Sequence, residues 1–115
     1  MTAPTIAFAT FRELQDTAGP EFVAELVDAF LEEAPLMLAE LRDARATSNA
    51  DSFRRAAHSL KSNSQTFGAM ALGALARDLE LRGLAASAAN DDAALDALDA
   101  AYAQAAADLK ALCHG

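Results

Sequence analysis

Residues 20–45 read PEFVAELVDAFLEEAPLMLAELRDAR. Phe22, Val23, Leu26, Val27, Phe30, Leu31, Met37, Leu38 and Leu41 recur there at helical spacing. Glu21, Glu25, Asp28, Glu32 and Glu33 fill the other face. Gly19-Pro20 punctuates the start, and proline suits the first turn of a helix. Pro35 removes a backbone donor and is expected to bend the helix one turn upstream. The apolar stripe continues on both sides of it, so the stretch predicts one kinked amphipathic helix.

Working outward, Thr47 to Asp51 is a turn rich in N-cap residues. A second long helix is predicted over 51–66 and a third over 69–82, with Met70, Leu72, Leu75, Leu79 and Leu81 as its apolar set. Gly68 marks the break between them and Gly83 is a plausible C-cap. Residues 84–90 read as a small-residue loop. Asp91 and Asp92 then place negative charge where a helix start favours it. The last stripe is Leu95, Leu98, Tyr102, Ala105 or Ala106, Leu109 and Leu112. Ahead of all this, Phe8, Phe11 and Leu14 suggest a short helix around 11–16. The expected fold is all-α: an up-down antiparallel four-helix bundle over 19–113, capped by a short helix in the N-terminal segment 1–18, in one domain over 1–115.

Composition agrees and excludes alternatives. Of the 115 residues 53% are hydrophobic and 6% aromatic, with no Trp. Alanine is by far the commonest residue, and it favours helices over strands. Five Gly and three Pro are too few for an all-β domain with many tight turns. A single cysteine, Cys113, makes no internal disulfide. No apolar run approaches the roughly 20 residues of a membrane span, and Met1 to Phe11 lacks a signal-peptide pattern. The net charge of −8 disfavours nucleic acid as a partner. The expectation is a cytoplasmic domain with no affinity for membranes.

Chemistry concentrates in residues 51–67. On a helical wheel, Phe53, Ala57, Leu60, Ser64 and Phe67 fall within about 80° and form a buried stripe. His58 lies opposite. Its neighbours one and two turns away are Arg54, Arg55, Lys61, Ser62 and Gln65, all polar and three of them cationic. A core histidine would sit on the apolar stripe. A metal site would place a second ligand at i+3 or i+4, where Lys61 and Ser62 stand, so no metal is expected. An exposed imidazole framed by cations suits a phosphoryl group carried on nitrogen, because imidazole with its ordinary pKa of about 6.5 is a nucleophile near neutral pH. Lys61 would offset charge on the phosphoryl oxygens, and Ser62 and Gln65 could hydrogen-bond to it.

The run AHSLKSNSQTFGA over 57–69, followed by Leu72, Leu75, Leu79 and Glu80, closely resembles the histidine-containing phosphotransfer family. Upstream, Phe30-Leu31-Glu32-Glu33-Ala34-Pro35 and Leu38 to Arg42 are similar to that family's preceding helix, proline included. The resemblance covers 19–83 well and the last helix only by pattern. It implies a four-helix bundle, with His58 as the phosphorylated histidine and Lys61 as the lysine that stabilises the phosphoryl group. It also implies that Gly68 keeps the turn clear for a docking partner. Glu80 stands where several members place a Gln that bonds the ring nitrogen left unphosphorylated, and as a carboxylate it could orient the ring. Ser62 departs from the family's usual Gly and is expected to alter docking slightly.

The implied function is a stand-alone bacterial phosphocarrier, not an enzyme, relaying a phosphoryl group between receiver-domain aspartates. Its partners would be response-regulator receiver domains and a hybrid histidine kinase. Docking would use an apolar surface on the first two long helices, with Arg54, Arg55 and Lys61 facing the receiver's acidic site. Mg²⁺ would belong to the receiver, so this chain would need no cofactor and would act as a monomer. Two alternatives stay open: the phosphoacceptor domain of a chemotaxis-type histidine kinase, and a helical adaptor that is never phosphorylated. His114, Cys113 and the acidic residues Glu32, Glu33, Asp91 and Asp92 read as terminal, packing, capping or solvated positions. The wheel places Leu60 in the core. Leu60→Ala should therefore cost about 2–5 kcal/mol in chemical denaturation, whereas Lys61→Ala, expected to be exposed, should leave the fold intact.

Overall fold

The computed structural model describes residues 6–87 and 91–114 and is helical almost throughout. The helices are α1 (Phe8–Ala18), α2 (Pro20–Ala46), α3 (Ala50–Thr66), α4 (Met70–Ser87) and α5 (Asp91–His114). Among the described residues there is no strand. No described helix is long and apolar enough to cross a membrane. The expectations placed on residues 88–90 and on the side chains of Asp91, Asp92 and His114 lie outside the described residues.

The four long helices each pack on two others: α2 on α3 and α5, and α4 on α3 and α5. Helix α1 lies against α2 and α3. The core is the set that helical spacing selects. Val23, Val27, Phe30, Ala34 and Leu41 on α2 meet Phe53, Ala57 and Leu60 on α3, and Leu72, Ala76 and Leu79 on α4. Leu95, Leu98, Ala105 and Leu109 close it from α5. Phe30 stands at the centre, its ring 5.4 Å from that of Phe67 and 6.1 Å, edge-on, from that of Tyr102.

Helix α2 runs unbroken through Pro35, which carries no N–H for the carbonyl of Leu31. That carbonyl is taken up from another helix: the Tyr102 hydroxyl donates to Leu31 O at 3.3 Å. Burial pushes the Tyr102 phenol up from its ordinary pKa. Arg42, on the same helix, reaches Asp96 at 3.1 Å and Asp99 at 2.5 Å, so polar contacts as well as packing hold α2 on α5.

Four local expectations change. Helix α1 begins at Phe8, earlier than the pattern suggested, because the Ala7 N–H donates to Gly68 O at 2.8 Å and tethers the segment entering it. Within α1, Phe11 is buried and Phe8 exposed. Phe22, Met70 and Leu81 are exposed rather than core. Phe22 and Met70 sit in the first turns of their helices, and Leu81 lies half a turn away from the Leu72, Ala76 and Leu79 stripe. Gly83 does break α4, with φ 71° and ψ 172°, but helix resumes to Ser87 where a loop was expected. Leu84-Ala85-Ala86 are strong helix formers, so the chain re-enters the helical state after the glycine. Tyr102→Phe removes this donor to the Leu31 carbonyl while keeping the ring. It should lower the unfolding free energy by about 1 kcal/mol in urea titrations.

Candidate functional site

Helix α3 begins at Asn49, whose side chain accepts the Ser52 N–H at 3.1 Å. The helix turns Phe53, Ala57, Leu60 and Ser64 inward. Ser64 is buried without an unmet hydrogen bond, because its hydroxyl donates to Leu60 O at 2.6 Å. This orientation leaves His58 outward, its side chain 58% exposed.

Helix α4 approaches the inner edge of that face. At Gly73 a Cβ would stand 3.3 Å from Gln65 Cγ and 3.6 Å from Ser64 Cβ, so the missing side chain lets the two helices come close. Two turns along the same face of α4 is Glu80. Its Oε2 lies 2.5 Å from His58 Nδ1 and its Oε1 2.7 Å from Lys61 Nζ. Glu80 is only 17% exposed and Lys61 21%. Lys61 was expected on the open surface; instead its ammonium is folded against the carboxylate.

The Lys61 ammonium holds the Glu80 carboxyl below the usual carboxylate range. Burial opposes the shift, and the bond from His58 adds to it. Glu80 is thus ionised at neutral pH. An ionised carboxylate only accepts hydrogen bonds, so the neutral ring carries its proton on Nδ1. The lone pair is left on Nε2, which no hydrogen bond engages among the described residues.

The basic surface expected around His58 is largely spent. Arg54 and Arg55 both reach Asp51, each at 3.0 Å, and Lys61 reaches Glu80. Three cations and two carboxylates leave a single net positive charge beside the imidazole. Arg54, Arg55, Ser62 and Gln65 are exposed on the same face of α3 as His58. None of the exposed large apolar residues lies on α3; Phe22 and Leu36 are those on α2, and Met70 and Leu81, the latter next to Glu80, are those on α4.

Gly68 is not part of this face. It is buried at φ +79°, and a Cβ there would meet Ala7 O at 2.9 Å and Thr10 Cβ at 3.2 Å. The space at Gly68, expected to be kept clear for a docking partner, is taken by Ala7 and by Thr10 of α1. Sequence reasoning missed Gly73, whose only signal was a glycine inside an otherwise strong helical stripe.

The depressed Glu80 carboxyl ties stability to pH with a definite sign. A carboxyl lowered by folding stabilises the native state above its unfolded pKa, and that stability is lost as pH falls through the folded value. Urea unfolding of the wild type should therefore weaken more steeply than that of Glu80→Gln as pH falls below about 5. Lys61→Met should remove most of the difference.

Residues 25–114 match the family model of the Hpt domain. Searches of curated proteins and of solved structures each returned no match. Hpt domains are phosphocarrier modules of phosphorelays that hold the phosphoryl group on histidine. With a match over most of its length, on a helical bundle that leaves one imidazole nitrogen open, this chain belongs to the Hpt domain family.

Proposed function

We propose that the protein relays a phosphoryl group between receiver-domain aspartates, carrying it on His58 Nε2. The observation that carries this reading is the Glu80 carboxylate on His58 Nδ1, which leaves the opposite nitrogen as the free nucleophile of an exposed ring. Nε2 attacks the phosphorus of a receiver's aspartyl phosphate, the P–O bond to the aspartate breaks, and a second receiver takes the group by the reverse step. Lys61 swings from Glu80 to the arriving phosphoryl oxygens, a short motion for a flexible side chain already next to the ring. Ser62 and Gln65 border the approach, and Arg54 and Arg55 meet the rim of the partner. Gly68 acts only indirectly, by seating α1.

In this reading the chain is one domain, an up-down bundle capped by α1. The register supports antiparallel neighbours: His58 and Gln65 on α3 meet Glu80 and Gly73 on α4, while Leu31 and Arg42 on α2 meet Tyr102 and Asp96 on α5. The protein works as a cytoplasmic monomer that meets each receiver over a modest, transient interface. It carries out no kinase reaction of its own; a hybrid histidine kinase supplies the phosphoryl group.

Incubation with a phosphorylated receiver should give an acid-labile, base-stable phosphate on the wild type and none on His58→Gln. Label that persists in His58→Gln, or a wild type that no receiver labels, rejects the reading. Lys61→Ala should retain the label site but slow transfer by about ten- to a hundredfold, the scale of losing one charged contact to a transferring phosphoryl group.

A further inference from the structure

Orienting the resting ring is only half of what a carboxylate at Nδ1 does. Neutral imidazole attacks through Nε2 with a proton already on Nδ1. As the P–N bond forms and the P–O bond to the receiver's aspartate breaks, the electron pair leaves with that aspartate. The ring becomes an imidazolium, phosphorylated on Nε2 and protonated on Nδ1. Loss of the Nδ1 proton would give a neutral phosphoimidazole, from which the group leaves poorly because the leaving ring would be an imidazolide anion. Retention keeps neutral imidazole as the leaving group.

We propose that Glu80 holds the Nδ1 proton throughout the cycle, so that His58 carries its phosphoryl group as an imidazolium poised for onward transfer. This rests on the phosphocarrier reading above and deepens it. The geometry is specific: Oε2 stands 2.5 Å from Nδ1, on a carboxylate that is only 17% exposed. That carboxylate is placed to accept the Nδ1 hydrogen bond in both the resting and the phosphorylated ring. Glu80 becomes more available to the ring once Lys61 turns to the phosphoryl oxygens, so partner exchange by the lysine strengthens the clamp just when the ring becomes cationic. Onward transfer reverses the steps. The acceptor carboxylate forms its P–O bond, the P–N electron pair returns to Nε2, and no proton enters or leaves.

The other charges around the ring are of both signs, so the specific anion at the ring is Glu80. On α3 the cations Arg54 and Arg55 are tied to Asp51. On α4 the other charges are Arg77, exposed one turn before Glu80, and Asp78 and Arg82, which pair with each other at 3.2 Å. From α2, Glu40 and Asp43 line the cleft that Ser59 borders, and they add negative potential. A glutamine at position 80 would carry no charge and could donate to a deprotonated Nδ1 as readily as accept from a protonated one. It would therefore release the proton and lengthen the life of the phosphorylated form.

The test uses ¹⁵N-labelled chain loaded with phosphoramidate, a small donor that needs no docking surface. At mildly alkaline pH the wild type should show a proton bonded to Nδ1 of phosphorylated His58, and Glu80→Gln should not. The phosphorylated Glu80→Gln form should decay, and pass its group to a receiver, about tenfold more slowly, the rate equivalent of one charge-assisted hydrogen bond. A deprotonated Nδ1 in the wild type overturns the proposal, and so do equal lifetimes in the two proteins. The wild-type spectrum decides alone if the variant fails to fold. Absence of label on His58 overturns the phosphocarrier reading along with this one. Label without the Nδ1 proton overturns only this one.

Discussion

The Glu80 carboxylate bridges two donors on the neighbouring helix, the His58 ring at 2.5 Å and the Lys61 ammonium at 2.7 Å. Bonds that short tolerate little sliding or separation of α3 and α4. The bridge thus sets a requirement that the packing must meet. Leu60 on α3, and Leu72, Ala76 and Leu79 on α4, are buried in one cluster, and Ser64 is buried beside them on α3. At Gly73 the absent Cβ avoids a tight contact with Gln65 Cγ across the α3–α4 seam. Ser64 fills a core position with a small group and satisfies its own hydroxyl within α3. Site geometry and core packing are therefore the same contact seen from opposite sides of α3.

On the far side of the bundle, α2 solves a different problem. Proline within a long helix leaves a carbonyl unmatched, and a buried unmatched carbonyl is costly. Tyr102 supplies the missing donor from α5 while its ring packs edge-on against Phe30. Phe30 in turn packs against Phe67, at the end of α3. A line of contacts thus runs from the proline, through one tyrosine and two phenylalanines, to the turn that launches α4. Gly68, next in that turn, receives the segment entering α1 through its carbonyl. This end of the bundle orders the termini of three helices.

Helical periodicity made the long elements and most of the core legible, because burial of a stripe is a property each helix declares by itself. His58 was legible for the same reason: a polar face opposite a strict apolar stripe has to point outward. Contacts between helices were not. The fifty-seven-residue gap between Arg42 and Asp99 carries no local pattern. The roles of Gly73 and Gly68 come from what lies across a gap, which a single chain segment does not record. The cations of α3 were read correctly as neighbours but not as already paired, since Asp51 looked like a helix-start residue alone. Exposure of Phe22 and Met70 followed from their place in first turns, where a helix outruns its neighbours and periodicity overstates the buried face.

The acidic charge of the whole chain acquires a meaning from this arrangement. With −8 spread over 115 residues, an unpaired basic cluster would attract stray anions as readily as a partner. Each cation beside His58 is instead held by a carboxylate, Arg54 and Arg55 by Asp51 and Lys61 by Glu80, which leaves one net positive charge at the resting site. In the proposed cycle, when Lys61 leaves Glu80, the carboxylate keeps a second partner in the His58 ring. In that cycle the ring is also the group that turns cationic when it carries the phosphoryl group. The anion that neutralises the lysine at rest is placed to neutralise the imidazolium afterward. A single half-buried carboxylate thereby serves both states of the site, and neither state leaves it without a partner.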